Sequence, residues 1–110
     1  MANIIPDAFK SELLSGTHNF ANGGNSFKIA LYTDISGYST SSTAYSTSNE
    51  VSSSGTNYSA GGNALDSQAV AVASNTAFVD FADEVFSSVT LSAVGAVIYN
   101  DTNSDKLVVV

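Results

Sequence analysis

The side chains best suited to chemistry are a single histidine and two groups of acidic residues. His18 is the only histidine and lies in the segment Gly16-Thr-His18-Asn-Phe20. A general base needs a nucleophile or a second acid held beside it, and no sequence neighbour of His18 supplies one. The position is typical of a histidine that caps carbonyls in a loop or at a helix end.

The first acidic group is Asp80, Asp83 and Glu84. Paired carboxylates are the machinery of glycoside hydrolysis, so this group is the starting point for an enzyme hypothesis. The chain has no tryptophan, and no aromatic sugar platform or second acid is recognisable beside the group. The pattern favours a solvated acidic loop.

The second group consists of the acidic residues Asp101 and Asp105 with Asn103 between them, and the alternation of these oxygen-bearing side chains resembles the first half of a calcium-binding loop. Lys106 stands where that loop needs glycine, and the distal glutamate is missing. A hairpin turn with Asx hydrogen bonds is therefore the favoured interpretation. With no cysteine and no phosphate-binding glycine loop, the sequence predicts no catalytic, cofactor or metal site, and hence no enzyme.

Composition limits the classes of partner. Ten carboxylates against three lysines give a formal charge of −7, and only 12% of residues are charged. Nucleic acids and anionic membrane surfaces attract Lys and Arg, so neither is expected as a ligand. The first residues lack a signal-peptide pattern, and no apolar run approaches membrane-spanning length. We expect a soluble protein that is made without export.

The elements that must position these residues begin with a helix over 6–16. Pro6 suits a first helical residue, Phe9 and Leu13 lie one turn apart, and Gly16 can close the C-terminus. Such a short helix needs a surface to lie on. That surface is either its own sheet or a neighbouring subunit.

The remaining elements are strands separated by turns. Period-two alternation predicts a strand over 27–32, and further strands are predicted over 67–73, 77–81, 89–99 and 106–110. We expect turns at 22–25, 74–75 and 100–104. The strand over 89–99 becomes apolar on both faces and should lie in the middle of the main sheet.

Residues 39–64 form a long polar segment that we call the polar excursion. It is rich in serine and threonine, yet four apolar or aromatic residues recur along it and at its end: Tyr45, Val51, Tyr58 and Leu65. These side chains predict contacts with the core, and Gly55, Gly61 and Gly62 permit the turns between them. We expect an ordered segment at a subunit or shell contact, with Glu50 available to pair with a partner's cation or to cap a backbone turn.

These elements predict an all-β fold, a small β-sandwich or jelly-roll-like domain with one short N-terminal helix. We expect one domain over 1–110, comprising a helical arm over 1–20 and a β core over 26–110 that carries the polar excursion. The chain ends on an apolar run at Val110. An exposed apolar edge invites pairing, so we expect another subunit to cover it.

Three segments together resemble a family of small virion structural proteins of tailed bacteriophages, of the marine and cyanobacterial type. They are Asp7–Phe20 followed by Phe27–Thr33, then Thr43–Leu65, then Phe81–Asn100. The resemblance covers nearly the whole chain in order. The chain departs from it at Phe86 and Val94, where relatives often carry tryptophan and arginine, and relatives usually continue with a further strand.

The resemblance implies a structural protein of the virion, assembled in the host cytoplasm. The leading expectation is a capsid decoration protein that binds the outer head shell, bridges capsid subunits and clusters with copies of itself, for example as a trimer. A tail, adaptor or fibre-base component is the alternative, and a host-glycan-binding module is a third. We expect the contacts to use Phe9, Leu13, Tyr45, Glu50, Tyr58, Val108 and Val110.

Overall fold

The computed structural model describes residues 3–110 and contains one helix and six strands. The elements are α1 (Asp7–Leu14), β1 (Phe27–Tyr32), β2 (Asn63–Ala64), β3 (Ala69–Ala73), β4 (Thr76–Asp80), β5 (Gly95–Asn100) and β6 (Lys106–Val109). All strand pairs are antiparallel and form two sheets. The predicted β class with one short N-terminal helix is confirmed.

The main sheet has four strands in the order β2-β1-β5-β6. The predicted strand over 27–32 is confirmed, and β5 lies between β1 and β6 in the middle of the sheet, as expected. The prediction that this strand begins at Val89 is wrong. The ladder starts where Tyr32 pairs with Gly95, and β1 ends at Tyr32, so residues 89–94 have no partner strand there.

The second sheet is a separate hairpin of β3 and β4. Ser74 and Asn75 connect the strands with φ values of 51° and 65°, as a tight type I′-like turn requires, which confirms the predicted turn. β3 begins at Ala69, two residues later than predicted. Ser67 has a φ of 54°, which interrupts the extended backbone.

Helix α1 is shorter than predicted because Pro6 is its N-cap and Ser15 its C-cap. Gly16 has a φ of 78°, and its N–H donates to Leu13 O while the Thr17 N–H donates to Glu12 O. This is the Schellman arrangement that glycine favours beyond a helix end. The other end is tied to the polar excursion, because the Asp7 N–H donates to Thr40 O at 2.8 Å.

The polar excursion pairs with both outer edges of the main sheet. Beside β1, the Val51 N–H donates to Leu31 O at 2.9 Å, and Glu50 forms a bridge with Tyr32. Beside β6, the Tyr45 N–H donates to Asp105 O at 2.9 Å. The excursion is therefore part of the fold, and it closes edges that would otherwise invite another chain.

The expectation that another subunit must cover the C-terminal edge is corrected by the structure. Ile4 and Val110 exchange two backbone hydrogen bonds of 3.0 and 2.9 Å, and Val110 is only 8% exposed. The chain's own N-terminal segment lies on this edge. Apolar residues at this end serve the core because Leu107 and Val108 are also buried.

The core lies on the main sheet and includes Phe27, Tyr32, Val97 and Leu107, all at most 1% exposed. Three of the four residues expected to fix the excursion lie in the core or pack against it. Val51 and Tyr58 are buried, Tyr45 packs against the core cluster while partly exposed, and Leu65 is half-buried.

Candidate functional site

Glu50 lies at the centre of a hydrogen-bond cluster inside the polar excursion. Its carboxylate accepts from the Tyr45 hydroxyl, from the Tyr58 hydroxyl at 2.6 Å and from the Gly61 N–H at 2.7 Å. The Tyr58 hydroxyl also accepts from the Leu31 N–H of β1 at 3.0 Å. Glu50 thus caps a backbone turn and joins distant parts of the excursion, one of the two roles expected for it.

All five tyrosines of the chain help to fix the position of the polar excursion through hydrogen bonds or ring stacking. The Tyr99 hydroxyl donates to Gly61 O at 2.6 Å, and the Tyr99 ring stacks on Tyr45 with centroids 4.5 Å apart. The Tyr38 hydroxyl donates to that of Tyr32 at 2.9 Å, and Tyr32 donates to Ser46 O at 2.6 Å. Burial raises the pKa of Tyr32, Tyr45, Tyr58 and Tyr99 well above its usual value. These phenols stay protonated and act as structural donors.

His18 is buried, and both of its ring nitrogens have partners. Nε2 lies 2.9 Å from Glu12 Oε1, and Nδ1 lies 3.0 Å from Asn100 Nδ2. The arrangement fits a neutral ring that donates to Glu12 and accepts from Asn100. The expectation that His18 caps carbonyls is therefore wrong. Since no ring nitrogen is open, the side chain offers no site for proton transfer to a substrate.

Asn100 organises this cluster from the end of β5. It is fully buried, its amide donates to Asn25 Oδ1 as well as to His18, and its Oδ1 accepts from the N–H groups of Thr102 and Asn103. The predicted turn with Asx hydrogen bonds is thus present. Asn103 Nδ2 donates to Thr17 O at 2.6 Å, which ties this turn to the segment after α1. Within residues 3–110, no group of three His, Cys, Asp or Glu side chains could hold a metal ion.

The acidic residues after β4 do not converge on a cleft. Asp80 is the last residue of β4 and is exposed, as is Asp83, whereas Glu84 accepts from Asn63 Nδ2 at 3.2 Å. A smaller polar cleft of about 220 Å³ contains a single carboxylate, that of Asp34. Glycoside hydrolysis uses a pair of carboxylates, which this cleft does not provide.

An open apolar groove of about 480 Å³ lies between the β3–β4 hairpin, α1 and β6. We call it the hairpin groove, and its lining residues are Ile5, Phe9, Leu13, Phe20, Val70, Ala77, Phe78, Val79, Val108 and Val109. Every lining residue is apolar. Small-molecule sites combine an apolar wall with a few placed polar groups, so this groove suits a protein surface better than a small ligand.

The groove forms because the hairpin stands away from the main sheet. Phe81, just beyond β4, attaches its base by contacting Phe27 and Phe20 at centroid distances of 6.0 and 6.5 Å. Further out, Val70, Val72 and Phe78 are 56%, 72% and 45% exposed. Of these three residues, Val70 and Phe78 line the groove. Exposed apolar side chains that line a groove are typical of interaction surfaces.

The structure divides the predicted contact residues among three places. Phe9, Leu13 and Val108 line the hairpin groove, Tyr45, Glu50 and Tyr58 belong to the tyrosine cluster, and Val110 lies in the core. The contribution of the hairpin residues Val70, Ala77, Phe78 and Val79 to this groove was not predicted from the sequence. The signal was present, because the strand over 67–73 has valines on one face and alanines on the other, with no charged residue.

No helix among residues 3–110 has the length and apolar character to cross a membrane. A scan against protein-family models and searches of curated proteins and of solved structures find no match to this chain.

Proposed function

We propose that this chain is a structural protein of a tailed-phage virion, a capsid decoration protein that docks on the outer head shell and bridges shell subunits. The sequence resemblance to small virion structural proteins supports the assignment to a particle. The hairpin groove supports a docking role, and it is the observation that carries the proposal. A protein that works by docking needs an open apolar surface and no catalytic cluster.

The groove is suited to docking because it is accessible to another protein, whereas the edges of the main sheet are already paired with other segments of the chain. The polar excursion and Ile4 pair with the outer edges of the main sheet. Four exposed large apolar residues, Ile5, Leu13, Val70 and Phe78, line the groove. A shell offers many equivalent positions, and clustering of copies would let weak individual contacts sum to firm attachment.

The proposal is tested by quantitative mass spectrometry of purified particles of the phage that encodes this chain. A decoration protein is expected at roughly hundreds of copies per particle, in proportion to the shell subunits. A count of about six to eighteen would instead place it in a tail or adaptor ring, the alternative use of the same groove. Absence from purified particles would refute both virion assignments.

A further inference from the structure

We propose that the hairpin groove takes a different protein, one that presents an apolar strand or ridge flanked by lysine or arginine side chains, and not a second copy of this chain. The inference rests on the docking role proposed above and specifies the chemistry of the surface that fills the groove. Three properties of the hairpin support it: its exposed apolar residues, its unpaired backbone edges and the charge at its base.

The hairpin is poorly buried within its own chain. Val70 on β3 and Phe78 on β4 are 56% and 45% exposed, and Leu13 on the facing helix is 48% exposed. An isolated two-stranded hairpin is only marginally stable in water. Covering these side chains would remove their apolar surface from water, which favours association.

The hairpin's outer backbone edges are also open. Within residues 3–110, no backbone hydrogen bond joins the outer edge of Ala69–Ala73 or Thr76–Asp80 to another segment. The nearest such bond is at the base, where the Ala82 N–H donates to Asp66 O. This contrasts with the capped edges of the main sheet. An open edge beside an apolar groove is suited to addition of a partner strand.

The charge around the hairpin determines which partner fits. Asp66, Asp80 and Asp83 are exposed at its base, and none forms an ion pair within residues 3–110. No lysine, arginine or histidine occurs between residues 29 and 105. At the groove's helical side Lys10 is paired with Asp7, so it does not offset these carboxylates. The hairpin therefore has an acidic base, with Asp80 directly following the groove-lining residue Val79, that a basic partner would complement.

The same charges oppose a second copy. Each copy carries the carboxylates of Asp66, Asp80 and Asp83 at the base of its hairpin, and no basic residue between 29 and 105 that could pair with those of a second copy. Lys106, the lysine that follows this region in the sequence, is already engaged with Glu12 at 3.5 Å. With a chain charge of −7, self-association at this face would be resisted by like-charge repulsion.

The test uses a short capped peptide in which valine and threonine alternate between lysine-rich ends. Two comparison peptides carry glutamate in place of the lysines or serine in place of the valines. Binding of each labelled peptide to the full chain is followed by fluorescence anisotropy at low and moderate salt. Only the lysine and valine peptide should bind, and its affinity should fall as salt rises.

Matched variants of the protein separate the apolar and electrostatic contributions. Val70→Thr and Phe78→Thr retain β-forming residues at exposed positions, and each should raise the Kd about tenfold by removing apolar contact. Asp80→Asn should raise the Kd by about two- to fivefold and weaken its salt dependence. Asp101→Asn removes the same charge from the turn between β5 and β6 and should leave the Kd unchanged. Circular dichroism and melting temperature confirm that each variant is folded.

Four results would overturn the inference. Three concern the peptides: failure of the lysine and valine peptide to bind the folded chain, equal binding of the glutamate peptide, and equal losses of affinity from Asp80→Asn and Asp101→Asn. The fourth is a dimer in sedimentation equilibrium that Phe78→Thr dissociates, because the occupant would then be a second copy. Particle composition tests the proposed function separately, so either test can fail while the other succeeds.

Discussion

Glu50 shows how one carboxylate can order a long polar segment. Its three donors come from Tyr45, Tyr58 and Gly61, which are spread over 17 positions of the sequence. We expect Glu50→Ala to lower the free energy of unfolding by about 2–4 kcal/mol, because several polar groups lose their acceptor in a partly buried site. Chemical denaturation followed by circular dichroism measures the change.

The matched variant for this position is Glu50→Gln, which retains one acceptor oxygen and the side-chain shape. Glu50→Gln should lower the free energy of unfolding clearly less than Glu50→Ala does. Neutral hydrogen bonds would replace charge-assisted ones, and not every donor would be left unpaired. Equal stability of Glu50→Ala and the unmodified chain would contradict the role given to Glu50.

Gly62 and Gly55 provide a second residue-level comparison. Both have positive φ values, 79° and 71°, but a Cβ on Gly62 would lie 1.9 Å from Ile29 O, whereas one on Gly55 would meet nothing within 4 Å. Gly55→Ala should lower the free energy of unfolding by about 1 kcal/mol through backbone strain alone. Gly62→Ala should lower it clearly more, because the backbone at position 62 must also move away from Ile29 of β1. Thermal unfolding of the two variants measures the difference, and equal costs would show that Gly62 does not approach β1 this closely.

At the scale of elements, the polar excursion covers the edges of the main sheet, and hydrogen bonds from tyrosine hydroxyls fix its position. Tyr32, Tyr58 and Tyr99 are at most 3% exposed, and burial raises the pKa of each well above the usual value of about 10. The folded chain keeps these protons at a pH where the unfolded chain has lost them. Their contribution to stability is therefore complete below about pH 10 and is lost as pH rises beyond it.

Because the pKa of each of these tyrosines is raised in the folded chain, we expect the protein to unfold at alkaline pH. Above about pH 10, each of these tyrosines should lower the free energy of unfolding by about 1.4 kcal/mol per pH unit for as long as the folded state retains its proton. Tyrosinate absorbance and circular dichroism should change together in a single transition. Free titration of Tyr32, Tyr58 and Tyr99 near pH 10 without loss of structure would contradict the burial described for them.

Local patterns predicted some elements better than others. The period-two alternation predicted β1 with its observed bounds, Phe27–Tyr32, and the Ser74–Asn75 turn was predicted from residues that tolerate positive φ. The early start assigned to β5 at Val89 failed because a strand also needs a partner, and β1 has already ended at Tyr32. The pairing of Ile4 with Val110 joins the two ends of the chain, and no local pattern encodes such a contact.

At the scale of the whole molecule, the chain combines a main sheet whose outer edges pair with other segments of the chain and a hairpin whose outer edges have no such partner among residues 3–110. The sequence indicated the helical contribution to the hairpin groove through the spacing of Phe9 and Leu13. It did not reveal that β3 and β4 would leave the main sheet, because their apolar residues are equally compatible with burial. The groove is a tertiary feature, created when Phe81 fixes the hairpin base beside Phe20 and Phe27.

A reconstruction of the phage particle to which we propose to assign this chain tests the docking proposal most directly, because it would show which face of the chain meets its neighbour. We predict many copies on the outer shell, each with a neighbouring protein covering Val70 and Phe78 and with basic side chains near Asp80. Particles in which the chain is present but the hairpin groove faces solvent would contradict the account.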